Sequence, residues 1–160
     1  MATRLMVLNG PNLNLLGERE PDIYGTTTLA AIEASCRDCA AVLDVELRFH
    51  QSNHEGVLID WIHEARQVSD AIVINPAGYS FGSVALLDAL KTFEGPIVEL
   101  HISNIHARDE AHRHSMVSQA ATTVICGAGV YGYILAVQAA ARLVCELPDA
   151  LPAPMRLGPR

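Results

Sequence analysis

Two pairs of side chains have the types and spacing for proton chemistry. Arg19 and Tyr24 stand five residues apart in NGPNLNLLGEREPDIYG, residues 9–25. A free phenol titrates near about 10, so a tyrosine is a poor base at neutral pH. A guanidinium beside it favours the phenolate, which can then take a proton from carbon. Gly17 and Gly25 bound this segment, so it could close over a ligand as a lid. The plainer reading is a surface loop that happens to carry a tyrosine. The second pair is Glu99 and His101, two residues apart in PIVELHI. On a strand that spacing puts both on one side, where a carboxylate can orient an imidazole that acts as an acid.

These groups need a scaffold. RLMVL (4–8) reads as a first strand, and the breaker-rich loop follows it directly. Leu29, Ile32, Cys36, Ala40 and Leu43 repeat at helical spacing behind a threonine N-cap at 26–28. VELRF (45–49) alternates as a second strand, and Val57, Leu58, Trp61, Ile62 and Ala65 mark a second helix. AIVIN (71–75) is a third strand, SVALLDALK (83–91) a third helix, PIVELHI (96–102) a fourth strand and TTVIC (122–126) a fifth. A last apolar-faced helix covers 131–144. The polar segment between strands four and five reads as loop with at most one helical turn.

Strands alternating with helices imply a parallel sheet with crossover helices. Five such units suit a flavodoxin-like, doubly wound α/β fold with strand order 2-1-3-4-5. In that fold a ligand binds at the carboxyl ends of the strands. Asn9, Asn12, Asn75, Glu99, His101, Ser103 and Asn104 all fall near that edge and suit a polar pocket. Taken singly, each asparagine could be a loop cap and His101 a hydrogen-bonded core histidine. Residues 1–147 read as one domain. Residues 148–160, PDALPAPMRLGPR, read as a flexible proline-rich tail.

Two motifs invite other functions. CRDC holds Cys36 and Cys39, but it lies in a helical pattern without a second ligand pair, so reduced thiols are expected. GAGVYG (127–132) fits a dinucleotide fingerprint, yet no strand with a ribose-binding acid follows. Its glycines are read as serving a tight turn and close helix–sheet packing. The net charge of −7 without a Lys/Arg run argues against nucleic acid. No run reaches membrane-spanning length and the N-terminal apolar stretch is short for a signal peptide, so a cytoplasmic protein is expected. No His/Cys cluster has metal spacing.

LNGPNLNLLGEREPDIYG, QSNHEG (51–56), INPAGYS with SVALLDAL (74–90), VELHISNIHARDEAHRHS (98–115) and GAGVYGY (127–133) together resemble the type II 3-dehydroquinate dehydratases, in register over about 4–145. The resemblance implies a flavodoxin-like fold, a dodecamer of four trimers, and no metal or cofactor. The implied reaction is anti elimination of water from 3-dehydroquinate through an enolate, giving 3-dehydroshikimate, in the shikimate pathway or quinate catabolism. It places the base on Tyr24 with Arg19 as partner. Asn12 orients a water at the enolate oxygen, and His101 is the acid that Glu99 orients. Asn75 and the backbone amides of Ile102 and Ser103 match the site for the ring carboxylate and its neighbouring hydroxyl. Arg113 matches a basic position behind the tyrosine, and Asp88 an acid supplied to a neighbouring subunit's pocket.

The sequence departs from the pattern at two positions. Phe81 stands where the family has a histidine that bonds a ring hydroxyl, and His112 where it has an arginine. Phe81 offers no hydrogen bond, and His112 is shorter and titrates near neutrality. Two alternatives to the implied activity therefore stand. One is a lyase acting on another cyclic keto acid, less hydroxylated or bulkier at that end. The other is a non-catalytic relative that only binds ligand. Retention of Tyr24, Arg19, Asn12, Glu99 and His101 together argues against the second, because binding alone needs neither base nor acid.

Overall fold

The computed structural model describes residues 2–18, 22 and 25–145. Arg19, Tyr24 and the predicted tail at 148–160 lie outside the described residues. Five parallel strands form the sheet: β1 (Thr3–Asn9), β2 (Val45–Gln51), β3 (Ala71–Asn75), β4 (Ile97–His101) and β5 (Thr123–Cys126). Their order is β2-β1-β3-β4-β5, as the βα alternation predicts. Four helices cross between or follow them: α1 (Leu29–Val42), α2 (Glu55–Val68), α3 (Val84–Leu90) and α4 (Gly132–Val144). Among the described residues no helix is long and apolar enough to cross a membrane.

Alternation along the strands divides the core. Leu5, Val7, Val73, Val98 and Leu100 pack under Ile32 and Cys36 of α1 and Ala136 and Val137 of α4. Met6, Leu8, Ile72 and Ile74 pack on the opposite face with Leu58 and Ile62 of α2 and Leu86 and Leu90 of α3. Covering both faces is why the central strands read as unbroken apolar runs. The side-chain oxygen of Thr28 caps α1 by accepting from Ala31 N, and Ser83 caps α3 through Leu86 N.

Both misleading motifs resolve as structure. The fully buried Cys36 thiol is pushed up to about 12, chiefly by burial, and burial also raises Cys39. A protonated thiol is neither a nucleophile nor a metal ligand. In the GAGVYG turn Gly127 has φ +83°, and a Cβ on Gly132 would lie 2.9 Å from Leu100 Cδ1. The glycines permit a left-handed turn and the close seat of α4 on the sheet.

Candidate active site

The carboxyl ends of β1, β3 and β4 meet around a cavity of about 240 Å³. The register sets Asn9 of β1 beside Asn75 of β3, and Ile74 beside Glu99 of β4. Gly10 allows the chain to leave β1 here. A Cβ at that position would sit 2.4 Å from Pro76 O, and Gly10 N donates to Asn75 O at 2.8 Å. The loop then turns at Asn12, which has φ 67° and whose backbone N–H donates to Asn53 Oδ1 at 2.9 Å. Asn12 lines the cavity.

Glu99 and His101 form its floor. Glu99 is fully buried and His101 is 4 % exposed, yet His101 lines the cavity. His101 Nε2–H donates to Glu99 Oε1 at 2.6 Å. Ser115 Oγ donates to the same oxygen and Ser118 Oγ to Oε2, each at 2.5 Å. Burial alone raises the Glu99 carboxyl. The hydrogen bonds from His101, Ser115 and Ser118 outweigh it and hold the group below its ordinary value. An ionised carboxylate only accepts, so Nε2 must carry the proton and Nδ1 is the nitrogen left for a ligand. The pair thus offers an imidazole in one fixed tautomer, able to give a proton from Nδ1 when doubly protonated.

Asn75, Ile102 and Ser103 continue the wall, as do Phe81 and His112. Phe81 ends the short 3-10 turn Ala77–Phe81, and His112 ends another, Glu110–His112. The Phe81 ring lies 6.3 Å from the His101 ring at 27°. His112 Nδ1–H donates to Asp109 at 2.8 Å and holds that carboxyl below its ordinary range.

Other expected residues stand elsewhere. Asp88 is exposed on α3 and does not line this chain's cavity. Arg113 is exposed, donates to Arg108 O at 3.1 Å and lies 3.5 Å from Glu110, away from the cavity lining. Asn9 is fully buried beneath the edge, bonded to His50 O and Tyr133. Asn104 caps the turn Ile105–Ala107 by accepting from His106 N. The plain capping reading therefore holds for Asn104. The cation that does line the cavity is Arg108, which sequence reasoning passed over. Its one signal was a lone arginine close behind β4 at the carboxyl edge. Ser115 and Ser118 were also missed, because a serine in a polar loop carries no sign of its partner. Among the described residues no group of three or more His, Cys, Asp or Glu is placed to hold a metal ion.

The family described as dehydroquinase class II matches residues 3–141. A Streptomyces avermitilis protein named 3-dehydroquinate dehydratase is 59% identical over 140 residues, covering 87% of this chain and 88% of that protein. A Verticillium alfalfae protein named catabolic 3-dehydroquinase is 57% identical over 142 residues, covering 89% of this chain and 95% of that protein. The crystal structure of the type II dehydroquinase from Propionibacterium acnes superposes with a TM-score of 0.84 at 43% identity, covering 88% of this chain and 97% of that one.

Proposed function

The chain belongs to the class II dehydroquinase family, and from that premise we propose that it is a hydro-lyase converting 3-dehydroquinate to 3-dehydroshikimate. The observation that carries the reading is the buried Glu99–His101 pair opening on a polar cavity. Elimination of a hydroxyl β to a ketone needs a base and an acid on opposite sides of the ring. The base takes a proton from the carbon between the two groups, and the bonding electrons move onto the ketone oxygen as an enolate. When the enolate collapses, the new C=C bond forms, the C–O bond breaks and the acid protonates the departing hydroxyl, which leaves as water.

In this reading Tyr24 is the base and Arg19 stabilises its phenolate. Asn12 holds a water against the enolate oxygen. His101 gives the proton to the leaving hydroxyl, and Glu99 keeps its tautomer. Asn75 and the backbone of Ile102 and Ser103 receive the ring carboxylate and neighbouring hydroxyl. Phe81 and His112 face the remaining hydroxyls, with Arg113 behind the tyrosine. The catalytic unit spans residues 1–147 and works in the cytoplasm as a dodecamer of four trimers, with Asp88 reaching a neighbour's pocket. The chemistry draws on organic acid and base alone, so EDTA should leave the rate unchanged. Turnover of 3-dehydroquinate, followed by absorbance of the conjugated enone product, tests the proposal. Binding of 3-dehydroquinate without product would make the chain a ligand-binding relative. No binding at all would point to another cyclic keto acid.

A further inference from the structure

We propose that Tyr133 is a positioning residue that fixes which end of the Asn75 amide is available to the ligand. The proposal rests on the reading of Asn75 as a substrate contact. Tyr133 lies on α4, fully buried, 124 residues from Asn9 in sequence and 58 from Asn75.

The polarity follows from donor counting along one chain of hydrogen bonds. Asn9 Nδ2 donates to the backbone carbonyl of His50 at 2.9 Å. A carbonyl only accepts, so the amide nitrogen of Asn9 is held there and its Oδ1 must point the other way. Tyr133 Oη donates its single proton to that Oδ1 at 2.7 Å. Burial pushes this phenol far above its ordinary value, so the proton stays in place. With its proton spent, Tyr133 Oη can only accept from Asn75, and Asn75 Nδ2 donates to it at 3.1 Å. Asn75 Oδ1 then accepts from Ala77 N at 3.2 Å. The series runs from a group that only accepts, on β2, to a group that only donates, after β3. Reversing any one amide would set donor against donor or acceptor against acceptor in a buried place.

The consequence lies at the cavity. Asn75 lines it at 4 % exposure with one N–H not used by Tyr133. A ligand there meets a donor, which suits a carboxylate or hydroxyl oxygen. The bond from Ala77 N also holds Asn75 to the turn after β3, where Ala77 itself takes φ 50°. Without Tyr133 the amide is free to rotate and lose this polarity.

A double-mutant cycle between Tyr133→Phe and Asn75→Ala reads the proposal directly. Tyr133→Phe should raise KM for 3-dehydroquinate by about 10-fold with kcat within about 3-fold, because only ground-state contact is lost. Asn75→Ala should do the same, and the double variant should be no worse than Asn75→Ala alone. Losses that multiply, or a fall in kcat with KM unchanged, would overturn the assignment and leave Tyr133 as a core residue only. Crystal structures of wild type and Tyr133→Phe supply a readout independent of turnover. The expected result is a rotated or doubled Asn75 side chain in the variant, and an unmoved amide would sink the idea. An inactive wild type would count against the dehydratase reading, while the crystals would still judge the positioning role. If Tyr133→Phe alone does not fold, Asn9→Leu with Tyr133→Phe removes the orphaned acceptor together with its donor. The same two measurements then apply.

Discussion

Phe81 meets His112 edge to face, with ring centroids 5.3 Å apart and planes at 80°. These are the two residues at which the sequence leaves the family pattern, and the fold makes them touch. Phe81 also lies against the His101 ring, so it separates the buried His101–Glu99 pair from the more exposed His112–Asp109 pair. His112 has one ring nitrogen held by Asp109, which leaves it a single polar group for a ligand.

The wall they form should set the affinity for a hydroxylated ring. The double change Phe81→His, His112→Arg is expected to raise kcat/KM for 3-dehydroquinate by about 10-fold, equivalent to roughly 1.4 kcal/mol. The gain should appear mainly in KM, since base and acid are untouched. Because the rings are in contact, each single change should give less than half the logarithmic gain. Steady-state kinetics on the four proteins checks this, and a double variant no better than wild type would mean that other groups hold the diol.

The serines on Glu99 should show themselves in the pH dependence of stability. Glu99 has an ordinary value of 4.5 and lies below it when folded. A group depressed in the folded state contributes stability that is fully present above its unfolded value and is lost as pH falls through the folded one. Ser115→Ala with Ser118→Ala removes two of the groups that hold Glu99 down, so its folded value should rise. The wild type's advantage in urea midpoint over this variant should therefore be full above about pH 5 and shrink as pH falls below it. A constant gap across that window would mean that the serines act through packing alone.

Gly10→Ala should damage fold and site together. The added methyl would press on the Pro76 carbonyl, which is backbone and cannot swing aside. Overpacking of this kind costs about 1–3 kcal/mol. Relief requires the chain to part from Asn75 at the point where the loop bearing Asn12 begins. A loss of about 2 kcal/mol in urea unfolding is expected, with a fall in kcat/KM beyond what the unfolded fraction explains. An active, fully stable variant would show that the turn has room to shift.

The order of strands and helices was legible because burial on two faces writes long apolar runs and helical spacing into the sequence. The predicted third strand matches β3 residue for residue. The segment from 103 to 122 was harder. It holds three short 3-10 turns, Ile105–Ala107, Glu110–His112 and Val117–Gln119, where at most one helical turn was expected. Asn104 and Asp109 cap two of them locally, and a three-residue turn has too few positions to show a periodicity. Glu99 and His101 could be paired from their spacing of two. Their further partners Ser115 and Ser118, and the bonds from Tyr133 to Asn9 and Asn75, join residues far apart in sequence, and no local pattern announces such contacts.

Asp88 gives a test of assembly. It is exposed on α3 and outside its own chain's cavity, so a catalytic role requires a second copy. Sedimentation should show an oligomer, and Asp88→Ala should lower kcat/KM by about 10-fold. Mixed oligomers of Asp88→Ala and Tyr24→Phe chains should be more active than either parent. In them some pockets combine an intact Tyr24 from one chain with an intact Asp88 from its neighbour. A fully active monomer, or mixing without gain, would return Asp88 to the status of a solvated helix residue.

Tyr24→Phe addresses the base. The ring is kept and only the hydroxyl is lost, so contacts made by the ring face persist while the proton acceptor disappears. The acid side of the cavity, with His101 on Glu99, is left as it is. Ligand affinity should stay within about 3-fold while kcat falls by at least about 10³, a loss of roughly 4 kcal/mol in transition-state stabilisation. Arg19→Ala should give a smaller loss in kcat that is partly recovered at higher pH, because a phenol without its guanidinium still ionises when the solution is basic enough. Titrating product binding by calorimetry beside the rate measurements separates affinity from chemistry. A Tyr24→Phe enzyme with near-normal kcat would move the base to another residue, and an Arg19→Ala enzyme whose loss is the same at every pH would assign the arginine to binding.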